Sequence, residues 1–106
     1  MDINLLQEHA KLAYDHAIAK KNLAERIQAR MNISYNDGYF TVTEQLISFL
    51  SSWDDETLIL IDSYQKPIKV NRLELLHLCQ QRYRELLNEW HEEWQELKKV
   101  RNANNV

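Results

Sequence analysis

The chain has 106 residues, a formal net charge of −3 at pH 7 and 44% hydrophobic residues, which is the size and composition of one globular domain. It contains one Gly, one Pro and one Cys. A single Gly excludes the glycine-rich phosphate loops and the GxSxG nucleophile elbow. A single Cys excludes an internal disulfide, a CxxC redox motif and Cys-based zinc sites. We therefore expect one domain over residues 1–106 that is not an enzyme and uses no cofactor.

The weakly acidic charge gives no overall signal for nucleic acid or anionic lipid. No apolar run approaches the roughly 20 residues that span a bilayer. Near the N-terminus, Asp2 stands where a secretory signal carries a basic residue, and a lone Cys79 within a helical pattern fits a reducing compartment. We expect a soluble intracellular protein, and a particle assembled inside a cell also fits.

Residues 3–31 contain no Gly or Pro and are rich in good helix formers, so they predict one long helix. A heptad-like stripe along this helix is largely Ala, which lets a second helix approach closely but buries little area. The stripe consists of Leu6, Ala10, Ala13, Ala17, Ala24, Ile27 and Met31.

Residues 32–42 change to β-favouring side chains on both sides of Asn36-Asp37-Gly38. An Asp-Gly pair in this setting predicts a hairpin with Gly38 at positive φ. Thr41 and Glu44 have the spacing of a capping box and predict a short helix from about 42 to 52. The apolar side of that helix carries Leu46, Ile47, Phe49, Leu50 and Trp53.

After a polar break, the apolar run from Thr57 to Asp62 predicts a strand, a turn follows, and Pro67–Val70 predicts a second strand. Because Pro67 cannot donate to a ladder, we place it at the start of an edge strand. Asn71 precedes Glu74 by three residues, which predicts Asn71 as the N-cap of the next helix.

Residues 72–101 predict the second long helix, and residues 102–106 are expected to fray. A heptad seam runs along this helix for roughly four repeats. Its apolar members are Leu73, Leu76, Tyr83, Leu87, Trp90, Trp94 and Leu97.

These elements predict an α+β, mostly α, fold in which two long antiparallel helices, about 3–31 and 72–101, enclose two small β-hairpins and a short helix. Large aromatic side chains fill cores and also anchor interfaces, and the distal end of the second helix has only one helix of its own chain to cover it. We expect the two Trp of this helix to be buried, partly between subunits. The interface candidates are Tyr83, Leu87, Trp90, Trp94 and Leu97, with Leu6, Ala10 and Ala13 opposite.

Charged residues form two further candidate surfaces. An acidic stripe on the second helix is either a docking face for a basic partner or a solvated outer face. The basic second half of the first helix would suit nucleic acid, but it lacks an aromatic platform and a reading motif. The acidic residues are Glu85, Glu89, Glu92 and Glu96, with Glu93 beside them, and the basic ones are Lys20, Lys21, Arg26 and Arg30.

The sequence gives little support for a metal site or for a reactive thiol. Glu74-x-x-His77 has the spacing of a di-iron ligand pair, but the second such motif that this site needs is missing. His91 precedes two Glu without completing HExxH. Cys79 lies on an apolar helix flank and predicts a small buried hydrophobe. We therefore predict no metal site.

From Ile33 onward the order of features is distinctive: a hairpin with an Asp-Gly turn, a short helix, Trp53 before an acidic break, a strand and a turn, then Asn71 and a long helix ending in Glu-Leu-Lys-Lys. This order resembles an uncharacterised domain family found in bacteriophage tail-fibre and tail-assembly proteins, over residues 33–100. The chain departs from that family in having a long helix before the domain and nothing after it. The resemblance implies a phage particle component or assembly helper, and it implies no catalytic residues.

The sequence thus predicts a non-catalytic protein–protein interaction or structural protein, which the resemblance associates with a phage virion (tail, baseplate or fibre) or its assembly. The expected partner is a second copy in a homo-oligomer, a larger phage structural protein, or both, with no membrane. The expected location is the host cytoplasm during assembly, and the virion is the alternative location. The alternative is a small phage regulator that binds a host protein or nucleic acid through its acidic stripe or basic half-helix. Oligomer number is not determined.

Overall fold

The computed structural model describes the backbone of residues 3–104 and the side-chain burial of residues 3–99. Three helices and four strands follow one another in this part of the chain, and the mostly α, α+β fold class is confirmed. In chain order they are α1 (Ile3–Ala29), β1 (Asn32–Tyr35), β2 (Gly38–Thr41), α2 (Glu44–Ser52), β3 (Thr57–Ile61), β4 (Pro67–Asn71) and α3 (Arg72–Asn104).

Both long helices end at residues other than those predicted. The first ends at Ala29 rather than Met31, because Asn32 already pairs in β1. The second continues through Asn104, three residues beyond the predicted end at residue 101, and the expected fraying of residues 102–106 stays a prediction. No Gly or Pro interrupts this stretch. The remaining positions of the expected frayed tail, 105 and 106, lie outside the described residues.

The chain divides into two compact units. Unit 1 consists of the described parts of Met1–Gln28 and Asn88–Val106, and unit 2 is Ala29–Leu87. Unit 1 therefore contains most of α1 and the second part of α3, whereas unit 2 contains both hairpins, α2 and the first part of α3. The single domain predicted for the whole chain stays a prediction.

The first hairpin turns at Asn36 and Asp37. Tyr35 pairs with Gly38 across the antiparallel β1–β2 ladder, so two residues remain for the turn. Their φ angles are 51° and 66°, as a type I′ turn requires. The hairpin prediction is confirmed, but the predicted positive φ of Gly38 is wrong, because Gly38 is the first residue of β2.

Helix α2 is capped by a different threonine from the one predicted. The Thr43 side-chain oxygen accepts a hydrogen bond from the Leu46 N–H at 3.0 Å. Thr41 belongs to β2, so the predicted pairing of Thr41 with Glu44 is wrong. Because Thr43 has extended backbone angles immediately before the first helical residue, it takes the position from which a side chain reaches the free amides.

The second hairpin and the start of α3 agree with their predictions. Pro67 is the first residue of β4, which pairs antiparallel with β3. The Asn71 side-chain oxygen accepts from the Glu74 N–H at 3.0 Å, as an N-cap does. A hydroxyl completes this cap: Tyr35 accepts from the Asn71 N–H at 3.3 Å and donates to the Glu74 carboxylate at 2.6 Å.

The hydrophobic core of unit 2 joins residues from both hairpins, α2 and α3. Burial removes their apolar surface from water, which is the main favourable contribution to folding. Tyr35, Leu46, Leu60 and Tyr83 are among the partly buried side chains that pack against this core. Its buried members are Ile33, Phe40, Val42, Leu50, Ile68, Val70, Leu75 and Cys79.

The buried face of α3 differs from the predicted seam. Leu75, Cys79 and Leu86 are buried, whereas Leu73 is 57% exposed and Leu87 is also exposed. Leu76 and Tyr83 of the predicted seam are partly buried against the core, so the prediction is wrong for Leu73 and Leu87, and the buried face is centred on Leu75, Cys79 and Leu86 instead. Cys79 is confirmed as a small buried hydrophobe, and its burial raises the pKa of the thiol to about 11.

Candidate interaction surfaces

Within unit 1, two side-chain contacts join α1 to α3. Arg26 Nη2 lies 2.6 Å from Glu93 Oε2, and Lys20 Nζ lies 4.5 Å from the centre of the Trp94 ring. Residue numbers fall along α1 as they rise along α3, so the two segments run antiparallel here. Both partners of the ion pair are partly exposed, and such pairs stabilise a fold by only about 0–1 kcal/mol.

A groove of about 480 Å³ lies beside these contacts, and most of its exposed lining is apolar. Leu23 is buried beneath it, and the Arg26–Glu93 pair forms part of its wall. The residues that line it are Ala19, Asn22, Leu23, Arg26, Glu93, Glu96 and Leu97. Leu97 is thus half-buried within unit 1, at a surface that the chain itself partly covers.

The first half of α1 is exposed along its whole length. Every residue from Ile3 to Asp15 is exposed, including the interface candidates Leu6, Ala10 and Ala13. The buried residues of this helix, Leu23 and Ile27, lie near its other end. The large apolar side chains exposed in the first half are Ile3, Leu5, Leu6, Leu12 and Tyr14. Five large apolar side chains are therefore exposed within the first 12 residues of one helix.

The candidates on α3 fall into three kinds of environment. Tyr83 packs against the core of unit 2 and donates to Glu44 Oε1 at 2.6 Å, and that hydrogen bond, with a smaller effect of burial, raises the pKa of its hydroxyl. Trp90 and Leu97 are half-buried. Leu87 and Trp94 are exposed, so the expected burial of Trp94 is not achieved within this chain.

The acidic stripe is mostly a surface face. Glu85, Glu92 and Glu96 are exposed and Glu89 is half-buried. Two of the exposed side chains have neighbours on the same helix, because Gln81 donates to Glu85 at 3.2 Å and Lys99 donates to Glu96 at 3.1 Å. Glu93 is engaged by Arg26 and is not part of an open acidic surface.

The basic half of α1 is also engaged. Lys20 lies over the Trp94 ring, Arg26 pairs with Glu93, and Lys21 lies 3.8 Å from Glu25. Arg30 follows the helix at an exposed position and has an interaction of its own. These cations are therefore partly neutralised by neighbours and do not form one open basic stripe.

Glu74 and His77, whose spacing suggested a metal pair, lie near the start of α3. Glu74 accepts the hydrogen bond of Tyr35, which gives it a structural role at the cap. Among residues 3–104, no three His, Cys, Asp or Glu side chains form a group that could hold a metal ion. The described helices also include no segment that is both long enough and apolar enough to cross a bilayer.

Sequence reasoning missed the importance of Asp62. This residue is buried at 4% exposure, and its carboxylate accepts from the N–H groups of Tyr39, Tyr64 and Lys66 at 3.0, 3.0 and 2.8 Å. Burial alone would raise the pKa of Asp62, but these three donors and the Lys66 ammonium lower it below the ordinary value. The sequence feature that could have indicated this role is an Asp that directly follows an apolar strand and precedes a turn.

Comparison with protein-family models, with curated proteins and with solved structures finds no match to this chain. The resemblance of residues 33–100 to a phage tail domain therefore stays a prediction.

Proposed function

We propose that this protein is a non-catalytic interaction protein that binds another protein through the first half of α1. The observation that carries this proposal is the exposure of every residue from Ile3 to Asp15, among them five large apolar side chains. Large apolar side chains exposed close together on a surface are a common feature of protein-interaction sites.

The helix itself supports the proposal. Isolated helices shorter than about 12–15 residues are marginal in water, and most helices in proteins are stabilised by packing of an apolar face. Burying a fully exposed Leu side chain contributes about 1.5–3 kcal/mol. Leu5, Leu6 and Leu12 are 49%, 47% and 47% exposed, so a partner that covers them adds about half of that for each and stabilises both the helix and the complex. The small side chains of Ala10 and Ala13 allow a partner helix to approach closely.

The proposed partner is a second copy of the chain, a larger phage structural protein, or both. The phage setting, in a tail, baseplate or fibre or in their assembly, depends on the resemblance of residues 33–100. The alternative role as a regulator has less support through the basic half-helix, because Arg26 pairs with Glu93 and Lys20 lies over the Trp94 ring. Glu85, Glu92 and Glu96 of the acidic stripe are exposed, so that surface keeps the alternative as a second candidate.

The test compares Leu6→Glu/Leu12→Glu with the matched control Gln7→Glu/His9→Glu. Each pair adds two carboxylates to exposed positions of the same helix, so neither pair disturbs a buried contact. We expect the first pair to lower the mass of the assembly or the retention of phage structural proteins, and the control to change neither. Sedimentation equilibrium measures the mass against the 12.7 kDa of one chain, and a pull-down from phage-infected cells measures retention of structural proteins.

Two results would contradict the proposal. One is a wild-type chain that sediments as a monomer and retains no phage structural protein. The other is a Leu6→Glu/Leu12→Glu variant that matches the control both in mass and in the phage proteins it retains, since no binding would then depend on α1.

A further inference from the structure

The backbone of β3 has one edge that faces away from β4. Asp62 N–H donates to Lys66 O and Arg72 N–H donates to Glu56 O, which places even-numbered β3 residues in the hydrogen-bonded pairs of the antiparallel ladder. The N–H and C=O groups of the odd-numbered residues Thr57, Ile59 and Ile61 therefore point outward.

This outer edge is open within the described residues 3–104. β3 pairs only with β4, and no hydrogen bond from residues 3–104 reaches the outward groups of Thr57, Ile59 or Ile61. The side chains of Ile59 and Ile61 are 63% and 59% exposed. The strand therefore presents both unpaired backbone groups and apolar side chains.

The opposite edge of the same hairpin is protected, unlike the edge of β3. Pro67 has no N–H to offer, Lys69 O accepts from the Asn36 side chain at 2.6 Å, and Asn71 N–H donates to the Tyr35 hydroxyl. Proteins commonly shield edge strands with Pro, with charged residues or with a covering loop. In this hairpin the proline and the covering side chains protect β4, whereas β3 has the uncharged sequence Thr-Leu-Ile-Leu-Ile.

We infer that β3 pairs antiparallel with β3 of a second copy of this chain, giving a continuous four-stranded sheet across a two-fold axis at Ile59. The three outward residues are spaced symmetrically about Ile59. In this register Thr57 lies opposite Ile61 of the second copy, Ile59 lies opposite its equivalent, and the outward groups of both strands pair with one another.

A second copy fits this edge better than an unrelated strand for two reasons. Its hydrogen-bonding pattern is self-complementary, as a two-fold interface between identical subunits requires. The side chains also match, because Ile59 meets Ile59, and cross-strand pairs of β-branched residues stabilise antiparallel sheets. β3 has no charged side chain that would select a partner of different sequence.

This surface lies in unit 2 and differs from the first half of α1, so the inference does not depend on the proposed function. The pairing of β3 and the binding of α1 make separate predictions for separate variants. Either one can fail while the other stands.

The experiment measures dimerisation of Ile59→Pro against the matched control Lys69→Pro by sedimentation equilibrium. Proline at either position removes an N–H that points away from the β3–β4 ladder, so the hairpin keeps its own hydrogen bonds. We expect a wild-type dimer of twice 12.7 kDa, a dissociation constant raised at least about tenfold by Ile59→Pro, and little change with Lys69→Pro.

A second variant and a second measurement guard against misfolding. Ile59→Lys changes an exposed side chain and places two ammonium groups opposite each other, which also weakens the dimer. Amide exchange of Thr57, Ile59 and Ile61 in the wild type should slow as protein concentration rises, because the pairing protects these N–H groups.

A wild-type monomer with fast exchange at all three amides overturns the inference, leaving the edge uncovered or available to a strand of another protein. An Ile59→Pro dimer as tight as the wild type also overturns it. If Leu6→Glu/Leu12→Glu dissociates that dimer, association occurs through α1, and the proposed function stands without the β3 pairing.

Discussion

Gly38 is required by the packing around it and not by its own backbone angles. A Cβ atom at this position would lie 2.7 Å from Ile68 Cγ1 and 2.9 Å from Phe40 Cε2. Both neighbours are buried, so neither can move freely. The strand conformation itself suits Ala better than Gly, since Gly loses more conformational entropy on folding.

We predict that Gly38→Ala destabilises the protein by about 1–3 kcal/mol, the usual effect of overpacking a core. Urea denaturation measures this change in the free energy of unfolding. Adding Ile68→Ala removes the closest contact, so the two substitutions together should destabilise less than the sum of their separate effects. A stabilising Gly38→Ala would show that the close contact is relieved without strain.

At the scale of the element, α3 shows how a heptad pattern can select the wrong face. Leu73 and Leu87 fit the repeat but are exposed, whereas Leu75 and Cys79, which do not fit it, are fully buried in the core of unit 2. The helix begins immediately after β4, and Asn71 and Tyr35 hold its first turn. The position of that first turn determines which side of α3 faces the hairpins. The heptad repeat of α3 does not specify that position.

Two identical substitutions near the start of α3 test this assignment. We predict that Leu75→Ala, at a fully buried position, destabilises the protein by about 2–5 kcal/mol through lost burial and a cavity. Leu73→Ala, at a position that is 57% exposed, should have a much smaller effect. Urea denaturation compares the two, and a larger effect of Leu73→Ala would restore the register predicted from the heptads.

At the scale of the whole molecule, Asp62 connects the two hairpins of unit 2. Its carboxylate accepts from Tyr39 in β2 and from Tyr64 and Lys66 in the second turn, and the Ser63 N–H donates to Tyr39 O beside it. The pKa of Asp62 is lower in the folded protein than its ordinary value. Its ionised form therefore stabilises the fold, and protonation weakens that contribution.

The sign of this effect predicts a pH dependence. The stabilisation from Asp62 is fully present above the unfolded pKa of about 4 and is lost as the pH falls through the lower folded pKa. Asp62→Asn, which replaces an acceptor-only group, should be less stable than the wild type at pH 7, and this difference should shrink at pH 3. Urea denaturation at both values checks it, and a difference independent of pH would contradict the assigned role of the charge.

Local patterns determined most of the secondary structure. The breaker-free segments specified two long helices, the Asn36-Asp37-Gly38 segment specified a hairpin, and Pro67 and Asn71 specified the start of a strand and of a helix. These signals depend on residues that are close together in the chain, where backbone sterics and nearby hydrogen bonds act directly. Leu6, Ala10 and Ala13 were predicted in the same way as interface residues; they are exposed, and their role in an interface stays a prediction.

What only the tertiary structure decided depends on distant residues. The need for glycine at position 38 depends on Ile68, and the buried face of α3 depends on the hairpins that it contacts. The role of Asp62 depends on Tyr39, in a strand more than twenty residues earlier in the chain. Likewise, only the tertiary structure shows that Asn36 and Tyr35 cover the outer edge of β4, whereas none of residues 3–104 covers the outer edge of β3. The sequence alone determined which helices and strands form, because their signals are local; the tertiary structure decided which faces they bury and which edges they leave unpaired, because contacts between distant segments set both.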